Sequence, residues 1–564
     1  MKFSEFQYIR PDLKAVEKQF DELLQRFEQA DSAAEQDAAM RAINGLRSDF
    51  ESMGEIAQIR HSVDTNDEKY KEEQEFMDDA QPVYQGLISK YYQALLESRF
   101  RPQLEEKWGV QLFRIAETTV KSFSPDIIED LQLENRLASE YQKLLASARI
   151  PFEGEERNLS QLIPFQTSPD REMRQRAFAA RYDFFRENEA KLDDIYDQLV
   201  KVRTRMAQKL GFKNFVELAY LRLNRTDYNA DMVANFRNQV LRYIVPVASK
   251  LRERQRDRIG VDALKFYDEG VEFCTGNAKP KGDPDWIVAG GKQMYGELSP
   301  ETAEFFNFMV DRELMDLVSK QGKAGGGYCT FISNHGSPFI FSNFNGTSGD
   351  IDVLTHEAGH AFQAYTSRGF GVPEYYFPTY EAAEIHSMSM EFFTWPWMEL
   401  FFQDETDKYK FAHLAGALLF VPYGVTVDEF QHAVYLHPEL TPAERKQTWR
   451  EIEQKYLPHR DYAGNDYLER GGFFYQQGHI FASPFYYIDY TLAQLCALQF
   501  WAKSQADREA AWSDYTGLCK LGGSKSFLEL VEAANLQSPF ADGGIAAAVG
   551  KAEQWLDSVD DSAL

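Results

Sequence analysis

At 564 residues the chain exceeds what one compact hydrophobic core usually serves, so two lobes or one large elongated body are expected. Hydrophobic residues make up 44% and charged residues 26%, a globular rather than a disordered balance. The net charge of -27 would repel phosphate backbones and anionic lipid, which argues against nucleic-acid and membrane partners and fits a solvated acidic surface.

The opening stretch MKFSEFQYIRPDLKAVEKQF carries no apolar leader, and no later stretch approaches about 18 uninterrupted apolar residues. Cys274, Cys329, Cys496 and Cys519 lie far apart without CxxC spacing, so reduced thiols in a cytoplasmic protein are expected. From Leu13 to about Ser147 the chain is rich in Glu, Gln, Leu and Ala, with apolar residues at helical spacing. VEKQFDELLQRFEQA and VYQGLISKYYQALLESRF predict long amphipathic helices joined by short connections such as Ser122 to Pro125. Residues 149–169 change character, with Pro, Gly and alternating apolar positions that suggest a hairpin before helices resume near Ser168. The expected division is an N-terminal helical lobe, 1–167, and a second lobe, 168–564. Gly and Pro cluster over 275–297, which reads as a long loop. Residues 324–349 form the one clear β-rich stretch, and SPFIFSNF within it is a candidate edge strand.

The strongest chemical signal follows, in DIDVLTHEAGHAFQAY. Residues four apart on a helix sit one above the other, so His356 and His360 can aim two imidazoles at one ion while Glu357 projects beside them. A catalytic zinc takes such a pair and a carboxylate, and leaves a position for water that Glu357 can deprotonate. With ten histidines in the chain, a chance match has a probability on the order of one or two in a hundred. Thr347 or Ser348 can cap this helix. Asp352, one turn before His356, is a candidate acceptor for that ligand's other ring nitrogen. The metzincin pattern is excluded, because Gln363 and Thr366 stand where its glycine and third histidine belong. The third ligand must therefore come from elsewhere, and EAAEIHSMSMEFF offers Glu381, Glu384, His386 and Glu391. Glu384 and Glu391 are seven apart and share a face. On spacing, Glu384 leads, with Glu381 and Glu391 as competitors.

HEAGH, followed 24 residues after its second His by Glu in EIHSMSMEFF, resembles the thimet oligopeptidase and neurolysin family of zinc metallopeptidases, and more closely its oligoendopeptidase F branch. The resemblance covers about 325–500 by motif and the N-terminal helices in kind. It implies a mostly α, two-lobed, elongated fold with a small sheet beside the zinc helix and a deep central channel. It also implies one Zn2+ per chain held by His356, His360 and Glu384, with Glu357 as general base. The activity implied is endopeptidase action on short unfolded oligopeptides.

A donor beside the metal is needed for the charge that builds on a peptide oxygen. GHIFASPFYYIDYTLAQ supplies His479, Tyr486, Tyr487 and Tyr490, a set that by itself reads first as an amphipathic aromatic helix with a core His. Members of the resembled family carry a His followed by a Tyr-rich helix facing the zinc. That implies His479 and Tyr490 as transition-state donors and Tyr487 as a substrate contact. The His-to-Tyr spacing is one residue shorter than in the thimet branch, which makes Tyr487 the reserve for Tyr490. Glu391 and Asp352 are placed behind the ligands. Oligopeptides are the expected partners, and the chain is expected to be a monomer or homodimer. The rival readings are a helical zinc carboxypeptidase and a non-catalytic peptide-binding protein.

Overall fold

Short polar caps start the N-terminal helices where the apolar periodicity begins. Asp12 accepts from the Ala15 amide at 3.2 Å to open α1 (Leu13–Gln29), and Ser32 accepts from Glu35 at 3.2 Å to open α2 (Ala33–Val63). Asp67 does the same for α3 (Glu68–Leu96). The computed structural model describes residues 1–541 and 543–564. In it α1 buries Phe20, Leu24 and Phe27, a stripe at helical spacing. That stripe meets Met40, Ile43 and Phe50 of α2 and Tyr84, Leu87 and Tyr91 of α3 in one apolar core. A second, larger core spans the helices after residue 120 to the C-terminal helices and also takes in Phe6, Ile56 and Ile59.

The first core also takes in Val372 and Tyr375, which belong to the connection between the two helices that carry the candidate ligands. The Tyr375 hydroxyl donates to the Trp108 carbonyl at 2.6 Å, and Glu374 pairs with Arg47 at 2.6 Å, both side chains buried. The N-terminal helices are thereby fastened directly to the segment between those ligand helices.

The hairpin expected near 150 is present, β1 (Ile150–Phe152) against β2 (Glu155–Arg157), and the next long helix begins at Arg171. The loop expected over 275–297 is shorter. Pro284–Leu298 is helical, capped by Asp283, which accepts from Trp286 at 2.9 Å. A proline in the first helical turn starts a helix as well as it breaks one.

Three strands make the main sheet: β3 (Met315–Val318), β4 (Tyr328–Ile332) and β5 (Ser337–Phe344), in the order β3-β5-β4. The stretch SPFIFSNF is β5, paired in parallel with β3 and in antiparallel with β4, so it is the central strand and not an edge. Its unbroken run of buried residues, Ser337 to Ser342, is what a strand covered on both faces requires. The edge is β4.

β5 leads into α4 (Gly349–Ser367), which carries the HEAGH motif. Neither Thr347 nor Ser348 caps it. The Asp350 carboxylate instead accepts from the Asn345 and Gly346 amides at 2.9 and 2.8 Å, in the first turn where the helix dipole favours an anion. Three further helices complete the frame: α5 (Tyr380–Phe393), α6 (Thr406–Leu436) and α7 (Tyr487–Ala506). α6 lies in a helical stretch apolar enough to cross a membrane, but 67% of that window is buried inside the protein, which makes it a core helix.

Candidate metal centre

α4 and α5 approach closely because Gly359, between the two histidines, has no side chain. A Cβ there would lie 2.6 Å from the Ser387 Cα and 2.7 Å from the His386 carbonyl oxygen. This contact puts Glu384, the fifth residue of α5, opposite the imidazoles. The Glu384 Oε2 is 3.1 Å from His356 Nε2 and 3.3 Å from His360 Nε2, and the three ligand atoms lie within 4.8 Å of one another.

The competing positions go elsewhere. Glu381 is buried at the start of α5, where Asp489 and Arg225 dominate its surroundings. His386 is buried on the far side, its ring 6.1 Å from Tyr515. Glu391 stands behind the ligands: its Oε1 is 2.7 Å from His356 Nδ1 and its Oε2 is 2.8 Å from His413 Nε2. The acceptor role expected of Asp352 toward His356 is therefore filled by Glu391. Asp352 instead accepts the Tyr409 hydroxyl at 2.7 Å, and burial pushes its carboxyl up to about 6. Its position a turn before His356 points it at α6, whereas α5 runs alongside the imidazole.

The donor set suits a divalent ion. Burial opposes protonation of His356, yet Glu384 on Nε2 and Glu391 on Nδ1 outweigh it and hold its pKa well above the usual value. A divalent cation can take the place of the Nε2 proton, with Glu391 keeping the proton on Nδ1. Burial opposes ionisation of Glu384, yet the nearby His360 and His356 outweigh it and hold its carboxyl well below the usual range. Removing Glu391 should loosen this arrangement. Glu391→Ala is expected to weaken zinc affinity about 10- to 100-fold in a chelator competition, and an unchanged affinity would deny Glu391 its orienting role.

Glu357 is buried, and its Oε2 has no hydrogen-bond partner. Burial pushes its carboxyl up, with His356 and His360 opposing. Beside it passes the residue that leads into β4: a Cβ on Gly327 would lie 3.3 Å from the Glu357 Oε1. Opposite, Tyr490 and His479 face each other with 3.2 Å between hydroxyl and Nε2. Tyr487 packs its ring against Phe420 and Tyr423 and lies 5.0 Å from the His479 ring. The start of α7 is pinned by the fully buried pair Arg225 and Asp489, 2.7 Å apart.

Sequence reasoning left three participants unassigned. Tyr486 donates its hydroxyl to the Glu384 Oε1, so the oxygen turned away from the imidazoles is held. Tyr409 and His413 are one turn apart on α6, and that spacing was the only available signal that they share a face toward Asp352 and Glu391. A cavity of about 310 Å³ opens against this face, bordered by Asp352, Glu391, Tyr409, His413, Phe420 and Gln494.

Helices thus surround a two-histidine, one-glutamate cluster with a buried free carboxylate beside it. Residues 3–123 match the sequence profile described as the Peptidase M3 N-terminal domain, and 165–273 with 302–549 match that of Peptidase family M3. The chain belongs to peptidase family M3, in its oligoendopeptidase F branch. It is 24% identical over 375 residues to an oligoendopeptidase F homolog of Borreliella burgdorferi, over 64% of this chain and 61% of that protein. The match thus spans about three fifths of that curated relative's length. A solved structure provisionally named an oligoendopeptidase F is 65% identical, with both chains covered in full and a TM-score of 1.00. PZ peptidase A, solved with an inhibitor, is 64% identical over the whole of both chains, with a TM-score of 0.99.

Proposed function

We propose that this protein is a zinc-dependent endopeptidase acting on short unfolded oligopeptides. The observation that carries the reading is the convergence of His356, His360 and Glu384 within 4.8 Å beside a buried glutamate oxygen that nothing else occupies. The likeness to PZ peptidase A and to the oligoendopeptidase F homolog supports it.

His356, His360 and Glu384 would hold the zinc, which would supply Lewis acidity to the peptide carbonyl and to water. Glu357 takes that proton and delivers it to the leaving amine, a role its raised basicity suits. His479 and Tyr490 donate to the oxygen on which charge builds. Strand β4, at the sheet edge beside Glu357, offers backbone groups to an extended peptide, and recognition through the backbone tolerates many sequences. In this reading a channel between an N-terminal lobe, 1–167, and a catalytic lobe, 168–564, admits peptides and turns away folded proteins.

Digestion of a mixed library of peptides roughly 5 to 30 residues long, read by mass spectrometry, tests the reading. Internal cleavage of peptides blocked at both ends is expected, lost with a chelator and restored by zinc. Activity confined to free C-termini would make the protein a carboxypeptidase. Binding without cleavage, with or without zinc, would make it a peptide-binding protein.

A further inference from the structure

A histidine that must donate a hydrogen bond while neutral has one proton and two nitrogens, so something has to decide where the proton sits. His479 is such a residue, since burial pushes its pKa down to about 4 and leaves it uncharged near neutrality. Both of its nitrogens are engaged: Nε2 is 3.2 Å from the Tyr490 hydroxyl and Nδ1 is 2.7 Å from the Gln477 side-chain amide nitrogen.

The proton's place follows from the Gln477 end of this chain of contacts. Tyr423 donates its hydroxyl to the Gln477 Oε1 at 2.8 Å, which turns the amide NH2 toward His479. An NH2 only donates, so Nδ1 accepts from it and is bare, and the single imidazole proton sits on Nε2. At the other end Tyr490, 3.2 Å from Nε2, packs on Tyr486 with ring centroids 5.0 Å apart, and Tyr486 donates its own hydroxyl to Glu384. The backbone holds Gln477 in place as well, its amide donating to the Phe474 carbonyl at 2.9 Å.

We propose that Gln477, held by Tyr423, is a positioning residue that locks His479 as the Nε2–H tautomer and so keeps a neutral donor turned to the cleft. This rests on the donor role given to His479 above. When a substrate oxygen arrives, the Nε2–H bond need only swing from Tyr490 to it, with no proton to relocate. Gln477 touches no substrate; its effect passes through the imidazole.

The test is 15N NMR of the histidine-labelled protein, with the His479 signal assigned by its loss in His479→Gln. Wild type is expected to show a protonated Nε2 and a bare Nδ1. In Gln477→Glu the side chain can only accept, so at pH 9 the proton is expected on Nδ1. In the same variant kcat is expected to fall about 10²-fold, the loss typical of one missing oxyanion donor, with KM within about threefold. Tyr423→Phe frees the amide to turn over and is expected to give a mixture of tautomers and a smaller fall in kcat. A protonated Nδ1 in wild type, or a neutral Nε2–H form persisting in Gln477→Glu at pH 9, would overturn the proposal. The expected tautomer change with undiminished kcat would uphold the lock and refute the donor role of His479.

Discussion

Glu357→Gln is expected to cut peptide hydrolysis by about 10²- to 10⁴-fold, the range for removing a general base, while zinc content stays near one per chain. The side chain is buried, so an isosteric amide fits the same space without a cavity. The three ligand atoms belong to other residues and keep their mutual spacing. What disappears is basicity: an amide cannot hold the proton taken from water or hand it to the leaving nitrogen. The partnerless Oε2 makes this substitution unusually clean, because no structural hydrogen bond to that oxygen is lost. Turnover by mass spectrometry and metal by atomic absorption on the same sample separate the outcomes. Wild-type turnover would remove Glu357 from the mechanism, and loss of both activity and metal would mean that it supports the ligands.

The histidine pair of the candidate cluster was legible in the sequence because its information is local. Two histidines a turn apart share a face by helix geometry, whereas Glu384 led Glu381 and Glu391 on spacing and was preferred to them on the family resemblance. The residues behind the cluster were not legible for the converse reason. Whether Asp352 or Glu391 meets His356 depends on which helix packs on which side of α4, and no spacing within α4 encodes that. His413 sits in an apolar helix, where a lone histidine looks like core, and Tyr486 looked like one more ring in an aromatic run. The sheet misreading has the same origin: SPFIFSNF has the composition of a strand, but edge or centre is decided by β3 and β4, one of them twenty residues upstream. The N-terminal helices were readable by period, whereas the cap expected of Thr347 or Ser348 and the loop expected around Pro284 gave way to Asp350 and to a helix.

Gly359→Ala is expected to damage both folding and metal binding, against the usual rule. In the middle of an exposed helix, Ala in place of Gly stabilises by about 0.5–1 kcal/mol. Gly45 in α2 is such a site, with nothing within 4 Å of a would-be Cβ, and Gly45→Ala is expected to follow the rule. At Gly359 the added methyl meets backbone atoms of α5 at 2.6 and 2.7 Å, and backbone cannot rotate away as a side-chain tip can. The two helices must then separate. Overpacking of this kind costs about 1–3 kcal/mol or more, so denaturant melts should show Gly45→Ala and Gly359→Ala shifting in opposite directions. The same separation carries Glu384 away from His356 and His360, which hold one oxygen at 3.1 and 3.3 Å and have little slack. Zinc affinity is expected to fall roughly tenfold or more, and a Gly359→Ala protein with wild-type affinity would show that the ligand spacing does not depend on this contact. The small residue inside HEAGH is thus tied to the candidate third ligand: the glycine lets α5 come close enough for the Glu384 carboxylate to stand against both imidazoles.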